Sequence, residues 1–80
     1  MKLKVIAFGI AKDIFGAGSI ECELYEGASV GTLRNLLEHE HPRLAQLSTY
    51  MIAVNNEYAE SNLLLAGNDE VALIPPVSGG

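Results

Sequence analysis

Basic residues are scarce in this 80-residue chain: five Lys and Arg stand against ten Asp and Glu, a formal net charge of −5 with histidine neutral. Nucleic acids and anionic membrane surfaces both require their phosphates to be neutralised, so neither is expected as a partner. Cysteine is scarcer still. Cys22 stands alone, so no internal disulfide can form, and no basic stretch followed by a long apolar run opens the sequence; a reducing, cytoplasmic setting is the expectation. No apolar run approaches the length of a membrane span. Repeats and low-complexity tracts are also missing, and the only segment dense in proline and glycine is the last, Pro75-Pro76-Val77-Ser78-Gly79-Gly80.

What is present is apolar. Hydrophobic residues make up 49% of the chain and charged ones 19%, too apolar for a disordered segment. One domain over residues 1–80 is expected, with 75–80 as an extended, flexible C-terminal tail. A chain this short hides only about 60% of the surface it exposes when unfolded, which leaves a thin core and little room for a large active-site cleft.

The apolar pattern resolves into elements. Lys2 to Phe8 reads as a strand, with Leu3, Val5 and Ala7 on one face and Ile6 and Phe8 on the other, as in a central strand whose two faces are both covered. A short helical turn over Ile10 to Phe15 stops at Gly16. From Ser19 to Tyr25, Ile20, Cys22 and Leu24 alternate with Glu21, Glu23 and Tyr25, the period of a half-buried strand. Ser29 is placed to cap a helix carrying Val30, Leu33, Leu36 and Leu37, although Thr32 stands where a Glu or Gln would complete a capping box. Pro42 should end that helix near His39 to His41, with Leu44 following after a break. Met51 to Val54 is a strand, Asn55-Asn56-Glu57 a turn tolerant of positive φ, and Tyr58-Ala59 the start of a return strand. Leu63, Leu64 and Leu65 read as core plugs in a loop. Gly67-Asn68-Asp69 is a second turn, and Glu70 to Ile74 the last strand, with Val71 and Leu73 on one face and Ala72 and Ile74 on the other. Two strands, a helix and further strands describe an α+β roll of the ubiquitin-like, β-grasp kind: a mixed sheet covered on one face by one main helix.

The catalytic inventory is nearly empty. Cys22 lies on the inward face of its strand and reads as a core thiol. His39 and His41 are two apart on a helix and point in different directions, which is not a metal clamp. Glu21 and Glu23 share a strand face without an apolar setting to raise a carboxyl pKa. Gly16-Ala17-Gly18 lacks the further glycine and the helix that a phosphate loop requires.

The tail is the specific feature. At average glycine usage two terminal glycines arise by chance about once in 200 chains. Pro75 and Pro76 form a stiff spacer without backbone N–H groups, which holds the end of the chain off the sheet. Gly79 and Gly80 carry no side chains, so the terminal carboxylate can thread a channel too narrow for any other residue. That carboxylate is ionised at neutral pH and can attack an activated phosphate.

The segment Asp69-Glu70-Val71-Ala72-Leu73-Ile74-Pro75-Pro76-Val77-Ser78-Gly79-Gly80 resembles the C-terminal signature of the MoaD family, the small sulfur-carrier subunits of molybdopterin synthase. The resemblance spans essentially the whole chain: Lys2 to Phe8 is similar to the family's first strand, Thr32 to Leu37 to its helix, and Ala53-Val54-Asn55 to its recurrent Ala-Val-Asn. Two positions depart from the pattern. Asn68 replaces the usual glycine and is the next best residue for a left-handed turn; Lys12-Asp13 replaces Arg-Glu, and lysine lacks the bidentate fork of arginine at a partner contact.

The resemblance implies that an adenylating enzyme similar to MoeB activates the Gly80 carboxylate with ATP, used in trans. A persulfide-derived sulfur then displaces AMP to leave a thiocarboxylate. The tail, Pro75 to Gly79, would insert into a MoaE-like large subunit that holds the catalytic side chains, and the sulfur would attack the pterin precursor of the molybdenum cofactor. No cofactor or metal is expected on this chain. The resemblance also implies a partner interface at Phe8, Tyr58 and Ile74, with Lys12 as a further contact. Residue pattern alone places Ile6, Phe8, Ala72 and Ile74 on one apolar strip, which requires either a partner or a second small core beneath loops. Two alternatives stand beside this reading: a carrier for another pathway, resembling ThiS of thiamine biosynthesis or a ubiquitin-related modifier, and a plain β-grasp binding module with an inert terminus.

Overall fold

The structure is a computed structural model that describes residues 1–47 and 49–75. Strand β1 (Lys2–Ala7) is followed by a short helix α1 (Ile10–Phe15), strand β2 (Ser19–Glu23) and the main helix α2 (Val30–Glu40). A 3-10 turn over Pro42–Gln46 leads to β3 (Met51–Val54), β4 (Glu57–Tyr58) and β5 (Glu70–Ile74). The strands form one mixed sheet in the order β2-β1-β5-β3-β4. β1 pairs antiparallel with β2 and parallel with β5, and β5 pairs antiparallel with β3. The first and last strands therefore lie side by side at the centre of the sheet.

Alternation decides which face is core. Leu3, Val5 and Ala7 of β1 and Val71 and Leu73 of β5 are buried, and they meet Val30, Leu33 and Leu37 from α2. Each fully buried aliphatic side chain of this set contributes about 1.5–3 kcal/mol relative to exposure. Helix α2 starts where expected: the Ser29 hydroxyl accepts the Thr32 N–H at 3.2 Å, and the Thr32 hydroxyl lies 3.2 Å from it. It ends at Glu40 with His41 as its C-cap, one residue before Pro42 opens the 3-10 turn and sends Leu44 into the core.

Four expectations need correction. β2 stops at Glu23 rather than Tyr25: the Leu24 N–H still bonds the Met1 carbonyl at 2.9 Å, but Tyr25 then enters a turn and is exposed. β1 stops at Ala7, although the Phe8 N–H still reaches the Leu73 carbonyl at 3.3 Å before the chain turns away. Of the three leucines in the loop only Leu65 plugs the core; Leu63 and Leu64 are exposed, because the loop lies flat along residues 28–31 through Leu65 N–H to Ala28 and Val30 N–H to Leu63 bonds. Asn68 has no left-handed backbone. The turn closes through the Asp69 N–H to the Ala66 carbonyl at 3.0 Å and the Ala66 N–H to the Asp69 carboxylate at 2.8 Å, without positive φ at Gly67 or Asn68.

Candidate docking face at the root of the tail

The face of the sheet opposite α2 is divided. At one end it is charged, with Lys2 opposite Glu23 and Lys4 between Glu21 and Glu70, pairs that help fix register. At the other end it is apolar. Ile6 lies opposite Ala72, Ala72 opposite Ala53 and Ala53 opposite Tyr58, a single row across four strands. Ile74 and Met51 pair in the next row, and Phe8 sits beside them where β1 ends.

Side-chain size turns this row into a concavity. Ala53 and Ala72 form a low floor, while Ile6, Phe8, Tyr58 and Ile74 stand around it; the space is about 370 Å³, with Asn56 and Glu70 adding polar groups. Among the described residues nothing covers it, since Phe8 is 50% and Tyr58 67% exposed. Among the described residues the strip is therefore not a second core. An open apolar depression with aromatic walls has the composition of a protein-binding hot spot.

Local chemistry places the walls. Asn55 and Asn56 have φ of 53° and 70°, the two left-handed positions of a type I′ turn, and the short hairpin they close sets Tyr58 over Ala53. The hairpin is tied to the sheet by the Asn55 side chain, which donates to the Asp69 carboxylate and accepts the Glu70 N–H, both at 3.0 Å.

Of the residues assigned from the sequence, the structure brings Phe8, Tyr58 and Ile74 together around this concavity. Lys12 is not with them; it lies in a shallow surface beside Asp13 and Gly16 to Gly18. Pro75 leaves β5 at the edge of the apolar end, next to Gly9. Pro76, Val77, Ser78, Gly79 and Gly80 lie outside the described residues. The sequence reading missed Ala53 as part of the floor. Its alternation with Ile52 carried that signal, but only the register against Ala72 shows which face it serves.

The described side chains offer little chemistry of their own. Cys22 is buried, and burial, followed by the charge of Glu40, pushes its thiol pKa up, which disfavours the nucleophilic thiolate. His41 packs its ring against Phe15 at 4.7 Å, and His39 is exposed. Among the described residues no group of three or more His, Cys, Asp or Glu is placed to hold a metal ion.

The ThiS family pattern matches residues 5–80. The chain belongs to the ThiS family. A relative, the molybdopterin synthase sulfur carrier subunit of Dictyostelium discoideum, is 36% identical over 84 residues, covering 99% of this chain and 96% of that one. SAMP1 from Haloferax volcanii has a similar solved structure, with a TM-score of 0.86 at 26% identity over the full length of both chains. A protein–protein complex of subunits 1 and 2 of the molybdopterin-converting factor from Helicobacter pylori 26695 contains a chain similar at TM-score 0.72 and 26% identity, again over 100% of both. The fold is the ubiquitin-like β-grasp, and as a ThiS family member this chain combines that scaffold with an open apolar face at the exit of its last strand.

Proposed function

We propose that this protein is the sulfur carrier subunit of molybdopterin synthase. The observation that carries the reading is the placement of the concavity: Phe8 and Ile74 flank the point where β5 ends, so a partner seated on that face also receives the chain that continues from Pro75 toward Gly79-Gly80. The Dictyostelium discoideum relative, named as a sulfur carrier subunit, and the similar two-subunit complex support it.

The chemistry belongs to the end of the chain. The Gly80 carboxylate attacks the α-phosphorus of ATP on a MoeB-like activating enzyme, giving the acyl adenylate and pyrophosphate. A sulfur nucleophile, in the simplest case hydrosulfide, then forms the C–S bond as the C–O bond to AMP breaks, leaving a thiocarboxylate, AMP and a proton. The docking face selects a MoaE-like large subunit, which supplies the catalytic side chains while the thiocarboxylate attacks the pterin precursor. ATP acts in trans and no cofactor resides on this chain. The setting is cytoplasmic, away from nucleic acid and membrane.

Intact mass spectrometry after incubation with ATP, sulfide and an activating enzyme tests this. Exchange of one oxygen for sulfur is expected in the full chain and not in a variant lacking Gly80. Absence of exchange, with the enzyme competent on its own carrier, overturns the reading. The likeness to SAMP1 favours a second reading, a ubiquitin-related modifier, in which the same activated carboxyl is transferred to an amine; a stable amide-linked adduct rather than a thiocarboxylate would identify it.

A further inference from the structure

Gly9 and Pro75 meet where the two central parallel strands part. The ladder between β1 and β5 ends with the Phe8 N–H to Leu73 carbonyl bond at 3.3 Å, and Pro75 has no N–H with which to extend it. Gly9 has φ 57° and ψ −132°, and the Ala11 N–H bonds the Phe8 carbonyl at 3.1 Å. These are the dihedrals and hydrogen bond of a type II′ turn over Phe8-Gly9-Ile10-Ala11, whose first central position is a glycine position. The turn throws the chain sideways into α1. It also lets the Gly9 backbone lie against the Pro75 ring: a Cβ on Gly9 would stand 3.1 Å from Pro75 Cγ, closer than such contacts normally come.

We infer that Gly9 is a positioning residue for the C-terminal tail: its bare backbone seats the Pro75 ring and so fixes the direction in which the chain leaves the sheet. The inference rests on the carrier reading above, because direction matters only if the end of the chain must reach a reacting centre in a partner. Two consecutive prolines transmit a set direction over several residues, since each fixes its own φ. Displacement at the root of such a lever by a few tenths of an ångström is enlarged at its tip, and misplacement of a reacting group by about 1 Å can cost about 100-fold in rate. The one contact argued for Gly9 is with Pro75, so its role is to position the chain and not to take part in the chemistry.

A double-mutant cycle separates this role from backbone strain. Gly9→Ala carries strain at positive φ in any background, but it crowds Pro75 Cγ only while that atom exists. Expected for Gly9→Ala is a fall of about 10- to 100-fold in kcat for thiocarboxylate formation, with KM for the activating enzyme within about threefold because the docking face is untouched. In the Pro75→Ala background, which lacks Cγ, the same substitution should cost less than about threefold. An equal cost in both backgrounds overturns the inference, as does a Gly9→Ala protein that is folded and converted at the wild-type rate. Should Gly9→Ala not fold, the wild-type protein decides: a nuclear Overhauser contact between the Gly9 α-protons and the Pro75 ring is expected, and its absence overturns the seating. A wild-type chain that is never converted defeats the carrier reading instead, while the Overhauser contact still reports whether Gly9 seats Pro75.

Discussion

The side-chain amide of Asn55 bonds the carboxylate of Asp69 at 3.0 Å while its carbonyl accepts the Glu70 N–H, so one residue ties the β3–β4 hairpin to the start of β5. Asn55→Gly keeps the left-handed backbone and loses only these bonds; it should cost about 0.5–1.5 kcal/mol in urea unfolding. Asn55→Asp retains an acceptor for Glu70 but sets a second carboxylate against Asp69. It should be the less stable of the two at low ionic strength and recover with added salt, since exposed charges are screened. An Asn55→Asp protein as stable as wild type would show that the clamp contributes nothing.

The concavity has its own consequence for mutation. Phe8 is half exposed, so Phe8→Glu removes little from the core and should leave the melting temperature within a few degrees of wild type. Placing a charge on the wall of an apolar docking site should weaken binding to a MoaE-like large subunit by at least about 100-fold. Titration calorimetry measures it directly. A variant that unfolds would make Phe8 part of the core, and a folded variant that binds normally would move the interface elsewhere.

Much of this was legible in the sequence because period-two alternation in Leu3 to Phe8 and in Val71 to Ile74 states directly which residues share a face. Ser29 and Pro42 bracket the helix for local reasons that need no tertiary information. The failures lie where long-range pairing decides. Leu63 and Leu64 are as apolar as Leu65, and only the bonds from the loop to residues 28–31 determine which of the three turns inward. Asn68 is a turn residue, but the Asp69 side chain selects a turn that needs no positive φ. Tyr58 came from family resemblance; the I′ turn and the register opposite Ala53 supply the physical cause of its position.

The helix start offers a gain in stability. Thr32 occupies the third position of α2, its N–H already bonded to the Ser29 hydroxyl. Thr32→Glu keeps that bond, adds a carboxylate that can reach back to the Ser29 N–H, and places negative charge at the positive end of the helix. Stabilisation of about 0.5–1 kcal/mol is expected in denaturant unfolding. A loss of stability would show that the Thr32 hydroxyl, 3.2 Å from that of Ser29, matters more than the missing half of the box.

Tyr50 is only 3% exposed; its hydroxyl donates to the Glu38 carboxylate and accepts from Arg34 Nε at 3.1 Å, and the Arg34 guanidinium lies 4.3 Å from its ring centre. Burial, and then the bond to Glu38, push the phenol up to about 12, against the opposing pull of Arg34. A raised pKa means that the folded state holds a proton the unfolded state releases. The stability this represents is therefore fully present below the ordinary tyrosine pKa of about 10 and is lost as pH rises from there to about 12, by about 2–3 kcal/mol in all. Tyr50→Phe removes the titrating group. It should cost about 1 kcal/mol at neutral pH, where Arg34 and Glu38 are exposed enough to rehydrate and can pair with each other, now 3.6 Å apart. Because only the wild type loses the part of its stability that depends on the Tyr50 proton, the two curves should converge and then cross. Urea unfolding of the two proteins from neutral pH to about pH 11.5 tests it. A constant gap between them across that range would mean that the Tyr50 proton is not held by the fold.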